Sequence, residues 1–289
     1  MAAIDPSLSI RAVTLAVSDL SRSAEFYEHV LGLPLIAREQ RVAHLGADRA
    51  RPALVLSEIT AAAPAPASAT GLFHVAWLHP SRAALAESVR RIAGAGWSFE
   101  GASDHGVSEA LYLSDPDGLG IEIYADRPRE RWERPSDGHG VKMVTLPLDL
   151  DDLLAQFPAH PAPAVPAGTH VGHVHLKVSD VARAAAFYRD ALGLEEQARL
   201  PSAAFLAAGG YHHHIGLNSW QSRGGAPAPD TAPGLRGIEF ELGDEAALDA
   251  LERGLADKLD EVSTESPDRV DGELSLRDPD GQLLRFSHR

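Results

Sequence analysis

Cysteine is missing altogether from the 289 residues, so disulfides, thiolate nucleophiles and cysteine-based zinc sites are excluded. Long apolar runs are missing too: none approaches the roughly 20 residues of a membrane-spanning helix. Met1–Pro6 does not read as a secretory leader, and the expectation is a soluble, cytoplasmic protein. Positive charge is scarce. Against 41 Asp and Glu stand 26 Lys and Arg, a formal net charge of −15 at pH 7, which argues against nucleic acid or an anionic membrane as partner. What is present is 44% hydrophobic and 23% charged, enough for real cores in a chain long enough for two domains. The 14 histidines are more than a chain of this size usually carries, and their positions matter more than their number.

The most informative stretch, residues 103–124, reads as a β-hairpin. Asp115-Pro116-Asp117-Gly118 has Asp first, Pro second and Gly fourth, which suits a type I turn. After the turn Ile121 and Ile123 point one way, Glu122 and Tyr124 the other; before it, Leu111 and Leu113 alternate with Tyr112. A carboxylate on such an apolar strand is costly to bury unless a cation or hydrogen-bond donors receive it.

Along the chain, one unit recurs. Residues 10–18 alternate as a strand, and Asp19 caps a helix carrying Phe26, Tyr27, Val30 and Leu31 on one face, closed by Gly32. Short strands are expected near 33–39, 41–46 and 53–58. After the Ala- and Pro-rich connector Ala61–Thr70 come a strand at 72–79, a helix at 81–94 and strands near 97–101, 109–114 and 119–125. The whole half then repeats. Val17-Ser18-Asp19, Phe26-Tyr27 and Leu31-Gly32-Leu33 return as Val178-Ser179-Asp180, Phe187-Tyr188 and Leu192-Gly193-Leu194, and the Asp115 turn returns as Asp278-Pro279-Asp280-Gly281. The expected organisation is a first domain over 1–126, a linker over 127–168 and a second domain over 169–289. Each domain holds two strand–helix–three-strand units, and Leu146–Leu154 is expected to pack as a short strap.

This pattern resembles the vicinal oxygen chelate superfamily, which includes glyoxalase I, bleomycin-resistance proteins and extradiol ring-cleaving dioxygenases. The resemblance implies an α+β fold of four βαβββ units forming two open eight-stranded mixed-sheet barrels. It also implies metal ligands on the first and last strands of the units.

The internal repeat shows which units keep such groups. His173, His175 and Lys177 share one strand face, where the first unit has Ala12, Thr14 and Ala16. His74 in the second unit has Gly237 as its counterpart in the fourth, and Glu122 has Arg285. Two imidazoles and a carboxylate suit the facial arrangement of non-haem Fe(II), with positions left open for substrate and O2. To assemble His74, Glu122 and His173, the second and third units must pair across the halves, within a chain or between subunits. The first and fourth would then pair as a metal-free barrel in which Arg285 meets Glu239 or Glu241.

His105, Leu111-Tyr112, Asp115-Pro116, Gly118 and Glu122 fall at the spacing of the extradiol dioxygenase signature, departing mainly at Ser103. The resemblance implies that His105 and Tyr112 contact a bound catechol or oxygen and that Glu122 and His173 bind iron. It implies, too, that His175 lines the oxygen pocket and that His213 of His212-His213-His214 is the acid–base histidine, or His214 if the register slips by one. The site units are second and third, rather than the third and fourth of better-known enzymes. The two-domain, bacillus-type catechol 2,3-dioxygenases look most similar over His173–Leu176 and the triple-histidine strand.

The resulting expectation is an enzyme of aromatic catabolism that cleaves a small aromatic diol with O2, using Fe(II) or, on the same ligands, Mn(II). A homo-oligomer is expected from the superfamily alone. A glyoxalase-like isomerase would need a second glutamate where Gly216 and Leu217 stand, and a metal-free binding protein of the bleomycin-resistance type would not need His74. Taken singly, His74 and Glu122 read as structural; three separately defined positions filled at once favour a site. Lys177 reads as solvent-facing at its strand end.

Overall fold

The computed structural model describes residues 3–60, 62–136, 138–256, 258 and 267–289. The first unit opens with β1 (Ser9–Val17). Asp19 then accepts the Arg22 N–H to cap α1 (Leu20–Glu25), which widens into a π-helical turn over Phe26–Val30. Gly32, at φ +82°, turns the chain out of this helix. Strands β2 (Leu35–Glu39), β3 (Val42–Leu45) and β4 (Leu54–Glu58) complete the unit. The second contains β5 (Gly71–Leu78), α2 (Arg82–Gly94, capped by Ser81), β6 (Gly101–Asp104), β7 (Ser108–Ser114) and β8 (Gly120–Asp126). Beyond the short α3 (Leu150–Leu154) come β9 (His170–Lys177), α4 (Val181–Ala186), β10 (Glu195–Leu200), β11 (Ala203–Ala207) and β12 (Ile215–Asn218). The fourth unit has β13 (Gly234–Leu242), α5 (Glu245–Ala256), β14 (Asp268–Val270), β15 (Glu273–Arg277) and β16 (Leu283–His288).

These strands form two eight-stranded mixed sheets, β14-β15-β16-β13-β1-β4-β3-β2 and β10-β11-β12-β9-β5-β8-β7-β6. The fold is the expected α+β arrangement of four βαβββ units. Each sheet takes one unit from each half: the first with the fourth through antiparallel β1–β13, the second with the third through antiparallel β5–β9. On the second sheet, alternation sends Val75, Trp77, Ile121, Ile123, Val174 and Leu176 into the same core as Leu85, Val89 and Ile92 of α2. The opposite face is left to the polar side chains.

The repeated motifs turn out to be each other's partners. In the first half, Ser18 N–H and Arg22 meet the Asp117 carboxylate, and the Tyr27 hydroxyl donates to Asp115 at 3.2 Å. In the second, Ser179 N–H and Arg183 meet Asp280, and the Tyr188 hydroxyl donates to Asp278 at 3.0 Å. Asp115 also accepts the backbone N–H groups of Asp117 and Leu119 at 2.8 Å, closing the turn from inside. In each half, the Asp-Pro-Asp-Gly hairpin is thereby locked to the first helix.

Three expectations are corrected. The strand near 97–101 starts only at Gly101; Trp97 instead packs on Phe26 and donates its indole N–H to Ser114 O at 2.8 Å. Arg285 meets Glu273 at 3.2 Å rather than Glu239 or Glu241, because Arg11 already engages Glu239 while Arg51 and Arg289 engage Glu241. His212–His214 form the bend leading into β12, not part of the strand. The strap is real: Leu146 exchanges both backbone hydrogen bonds with Asp104, and Leu153 of α3 is fully buried. Among the described residues, no helix is long and apolar enough to cross a membrane.

Removing the Asp115 carboxylate strands two backbone N–H groups and a buried tyrosine hydroxyl. Asp115→Ala is expected to cost about 1–3 kcal/mol, read as a lowered urea midpoint. Asp115→Asn, which keeps an acceptor oxygen, should cost less. Burial, reinforced by Asp117, raises the Asp115 pKa to about 6, so the folded state binds this proton more tightly than the unfolded one. Stability contributed here falls as pH rises from about 4 to 6, and Asp115→Asn should flatten that fall.

Candidate metal centre

Three strands converge on one buried point. β5 lies between β8, in parallel register with Ala76 opposite Glu122, and β9, in antiparallel register with His74 opposite His175 and Ala76 opposite His173. His74, Glu122 and His173 therefore project from one sheet face, and one ligand atom from each lies within 4.8 Å of the others. His74 Nε2 is 3.0 Å and His173 Nε2 3.3 Å from Glu122 Oε2. All three are buried, at 6%, 3% and 2% exposure. Gly120 permits the close β5–β8 approach, since a Cβ there would lie 2.1 Å from Phe73 O.

The chemistry of this donor set fits a cation. Burial pushes His173 down to about 4, leaving it a neutral imidazole at pH 7. Glu122 is held well below the usual carboxylate range despite its burial, because His173 and His74 face it. A neutral His173 and a depressed Glu122 are compatible, since an uncharged ring N–H still donates to a carboxylate. His74 Nε2, although near Glu122, is not aligned to bond it and has no hydrogen-bond partner; His173 Nδ1 has none either. A buried carboxylate with two incompletely satisfied imidazoles is costly as it stands and matches the ligand preferences of a divalent transition metal.

The other predicted residues surround this point. The His175 ring lies edge-on to His74 with centroids 5.0 Å apart, against Phe73, Phe205 and Trp220. Gly216 makes room for it, because a Cβ there would be 2.9 Å from the ring. Tyr112 pairs across the hairpin with Glu122, and burial together with that carboxylate raises its pKa. Its hydroxyl is 2.7 Å from His105 Nε2, while His105 Nδ1 is 2.8 Å from Val144 O, just before the strap. A carbonyl only accepts, so Nδ1 carries the proton and the Tyr112 hydroxyl donates to Nε2.

The His213 ring packs tilted against His173, with centroids 4.0 Å apart, and edge-on to Phe205 at 5.0 Å. His214 is turned away: its Nδ1 accepts the Ala208 N–H at 3.2 Å, and burial pushes its pKa down to about 3. His213, not His214, is thus the histidine beside the triad.

Sequence reasoning missed the residues that hold His213. Asp126 Oδ1 is 3.0 Å from His212 Nε2, and His212 Nδ1 is 2.7 Å from His213 Nδ1. With neutral rings one tautomer pattern satisfies both bonds: His212 donates to Asp126, and His213 donates to His212, leaving His213 Nε2 with its lone pair. Tyr211 donates to the same carboxylate oxygen at 3.3 Å, and Tyr124 bonds Tyr211 at 2.8 Å. The parity of Asp126 with Glu122 and Tyr124 on β8 was the available signal. Lys177, read as solvent-facing, is half-buried and lines the same cavity as His74 and Tyr112.

The family model described as "Glyoxalase/Bleomycin resistance protein/Dioxygenase superfamily" matches residues 9–123 and 170–286. A Bacillus subtilis (strain 168) protein named Catechol-2,3-dioxygenase is 42% identical over 254 residues, covering 87% of this chain and 88% of its own. Among solved structures, one from Bacillus subtilis subsp. subtilis str. 168 superposes with a TM-score of 0.64 at 14% identity, covering 99% of this chain and 86% of its own. Glyoxalase I from Zea mays superposes with a TM-score of 0.59 at 18% identity, covering 97% and 92%. At these identities the two structures speak to fold alone.

The hydrogen-bond pattern predicts ring protonation. In ¹⁵N-histidine spectra at neutral pH, His105 and His213 are expected as Nδ1–H tautomers with unprotonated Nε2. An Nε2–H signature for either would contradict the network.

Proposed function

Because the chain belongs to the glyoxalase/bleomycin resistance protein/dioxygenase superfamily, we propose that it is an extradiol ring-cleaving dioxygenase, inserting O2 into a small catechol-type aromatic diol at a divalent metal. The observation that carries the reading is the convergence of His74, Glu122 and His173 on one buried point. Two imidazoles and one carboxylate are the donor set suited to non-haem Fe(II) with coordination positions left open. The 42% identity to a protein named Catechol-2,3-dioxygenase, across most of both chains, supports the same reaction. An isomerase of the glyoxalase type would need a fourth protein ligand, and the described residues gather only these three, with Gly216 and Leu217 on the neighbouring strand.

In this reading His74, Glu122 and His173 hold the ion, which we assign as Fe(II); Mn(II) accepts the same donors. When bound, the metal supplies Lewis acidity toward the diol and electron exchange with O2. The protein's own side chains do the rest. Tyr112, having given its proton to the His105 hydrogen bond, presents oxygen lone pairs to a substrate hydroxyl. Burial and the adjacent His173 hold His213 well below the usual histidine range, so its Nε2 starts as a base, able to take a diol proton and return it as the ring opens. His175, Phe73 and Phe205 wall the site against water. Both atoms of O2 enter the product as the ring carbon–carbon bond beside the diol breaks, so no external reductant is consumed.

Anaerobic loading with Fe(II), followed by catechols and oxygen, is expected to give a ring-cleaved semialdehyde; an iron-loaded protein that cleaves none of a varied panel would refute the proposal. His213→Asn should keep its iron while kcat falls by about 10²-fold or more. Glu122→Gln and His74→Ala should instead lose bound iron, and with it the rise in melting temperature that ligation confers.

A further inference from the structure

Resting on the dioxygenase reading, we infer that Lys177 and Asn218 form a carboxylate-binding subsite at the mouth of the metal centre, so that the preferred substrate is a catechol bearing an acidic side chain. The site opens into a cavity of about 760 Å³ lined by Phe73, His74, Tyr112 and Lys177 among others, a volume in the range of pockets for ligands much larger than a bare catechol.

The charges around this cavity are nearly all spoken for. Arg236 donates to the backbone carbonyls of Asp230, Ala232 and Leu235, and Arg277 to that of Gly281. Of the lining carboxylates, Asp117 and Asp280 are paired with Arg22 and Arg183, Asp230 is exposed beside Arg236, and Glu100 is exposed. Lys177 is the exception: among the described residues it has no ion pair or hydrogen bond, and burial alone pushes its pKa down. A half-buried ammonium without a counter-ion carries a desolvation cost that an incoming anion relieves.

A second donor stands beside it. Asn218 pairs with Lys177 in parallel register, on the strand face that Gly216 shares with His175. It is 1% exposed, and its Nδ2 has no hydrogen-bond partner. The amide orientation is set by Oδ1, which accepts the Trp220 N–H at 3.3 Å, so the unpartnered atom is the donor. An ammonium and a carboxamide N–H on paired positions of neighbouring strands suit a carboxylate.

The direction is also right. His173, His175 and Lys177 follow one another on one face of β9, so Lys177 stands about 13 Å of strand beyond the His173 ligand. A chelated ring with a short acidic arm, met by the flexible four-carbon lysine stem, covers that span. Between the two ends lie the rings of Phe73, His175 and Trp220, with Phe73 and Trp220 centroids 5.2 Å apart. They offer an aromatic wall where the substrate ring would pass. In a chain of net charge −15, an anionic substrate needs such a local cation.

The test compares 3,4-dihydroxyphenylacetate with 4-methylcatechol on the full-length, Fe(II)-loaded protein and its Lys177→Met and Lys177→Gln variants. The wild type is expected to favour the acid by about ten-fold or more in kcat/KM, and both variants to lose that preference through KM on the acid alone. Equal use of the two diols by the wild type, or an equal loss on both in the variants, would overturn the subsite. Anaerobic titration of tryptophan fluorescence with phenylacetate, which has no diol, reads the subsite without turnover. Binding lost in both Lys177 variants supports it, and binding that they leave unchanged counts against it. Lys177-dependent binding of the acid with no catechol cleaved would sink the dioxygenase reading and leave the subsite standing.

Discussion

The antiparallel pairing of β5 with β9 is the constraint on which the rest depends. It is the seam between the halves of the chain, and its register sets His173 across from Ala76, next to His74 and one strand from Glu122. A slip of β9 by one residue would turn His173 and His175 into the helix-facing core and bring Val174 to the site. Such a slip is opposed by the apolar alternation of both strands, which buries Val75, Trp77, Val174 and Leu176 fully on the other face. The long connection between the halves adds little to the cost of this closure, because loop entropy grows only slowly with length.

A second set of contacts orients the hairpin that supplies Glu122 and Tyr112. The Asp115–Asp117 turn is held by Ser18, Arg22 and Tyr27 from the first unit, whose strands belong to the other sheet. Each half of the chain therefore ties the two sheets together at its turn, while each sheet ties the two halves together at its seam. The interlocking explains why a pair of short motifs repeats so faithfully although the buried His-Glu-His cluster does not. The motifs serve the architecture, which all four units share; the candidate ligand set His74, Glu122 and His173 lies in one barrel only. In the other barrel Ala12, Thr14 and Gly237 occupy the corresponding strand positions, and the nearby charges are neutralised as Arg11–Glu239 and as Arg51 and Arg289 with Glu241.

Around the metal centre the polar groups are arranged in two chains of fixed polarity. On one side Val144 O sets the His105 tautomer, which sets the direction of the Tyr112 hydroxyl. On the other, Asp126 sets His212, which sets His213. Both chains begin on groups that can only accept, a carbonyl and a carboxylate, and this gives the terminal atom next to the triad a defined role. In a low-dielectric interior such orientation is retained, because each group left unpaired costs more than it would in water.

Much of this was legible in the primary structure. Periodicity and caps located nearly every element, the repeat revealed four units, and the three positions His74, Glu122 and His173 stood out because their counterparts were Gly237, Arg285 and Ala12. Those features are local or are comparisons of the chain with itself, and they are readable before the chain is folded. What only the tertiary structure decided was direction and company: that His213 rather than His214 faces the triad, that Asp126 and His212 stand behind it, that Arg285 turns to Glu273, and that Lys177 is half-buried and paired across strands with Asn218, whose Nδ2 has no partner. A side chain's neighbours across strands and bends come from parts of the chain far away in sequence, and neither residue type nor spacing encodes them.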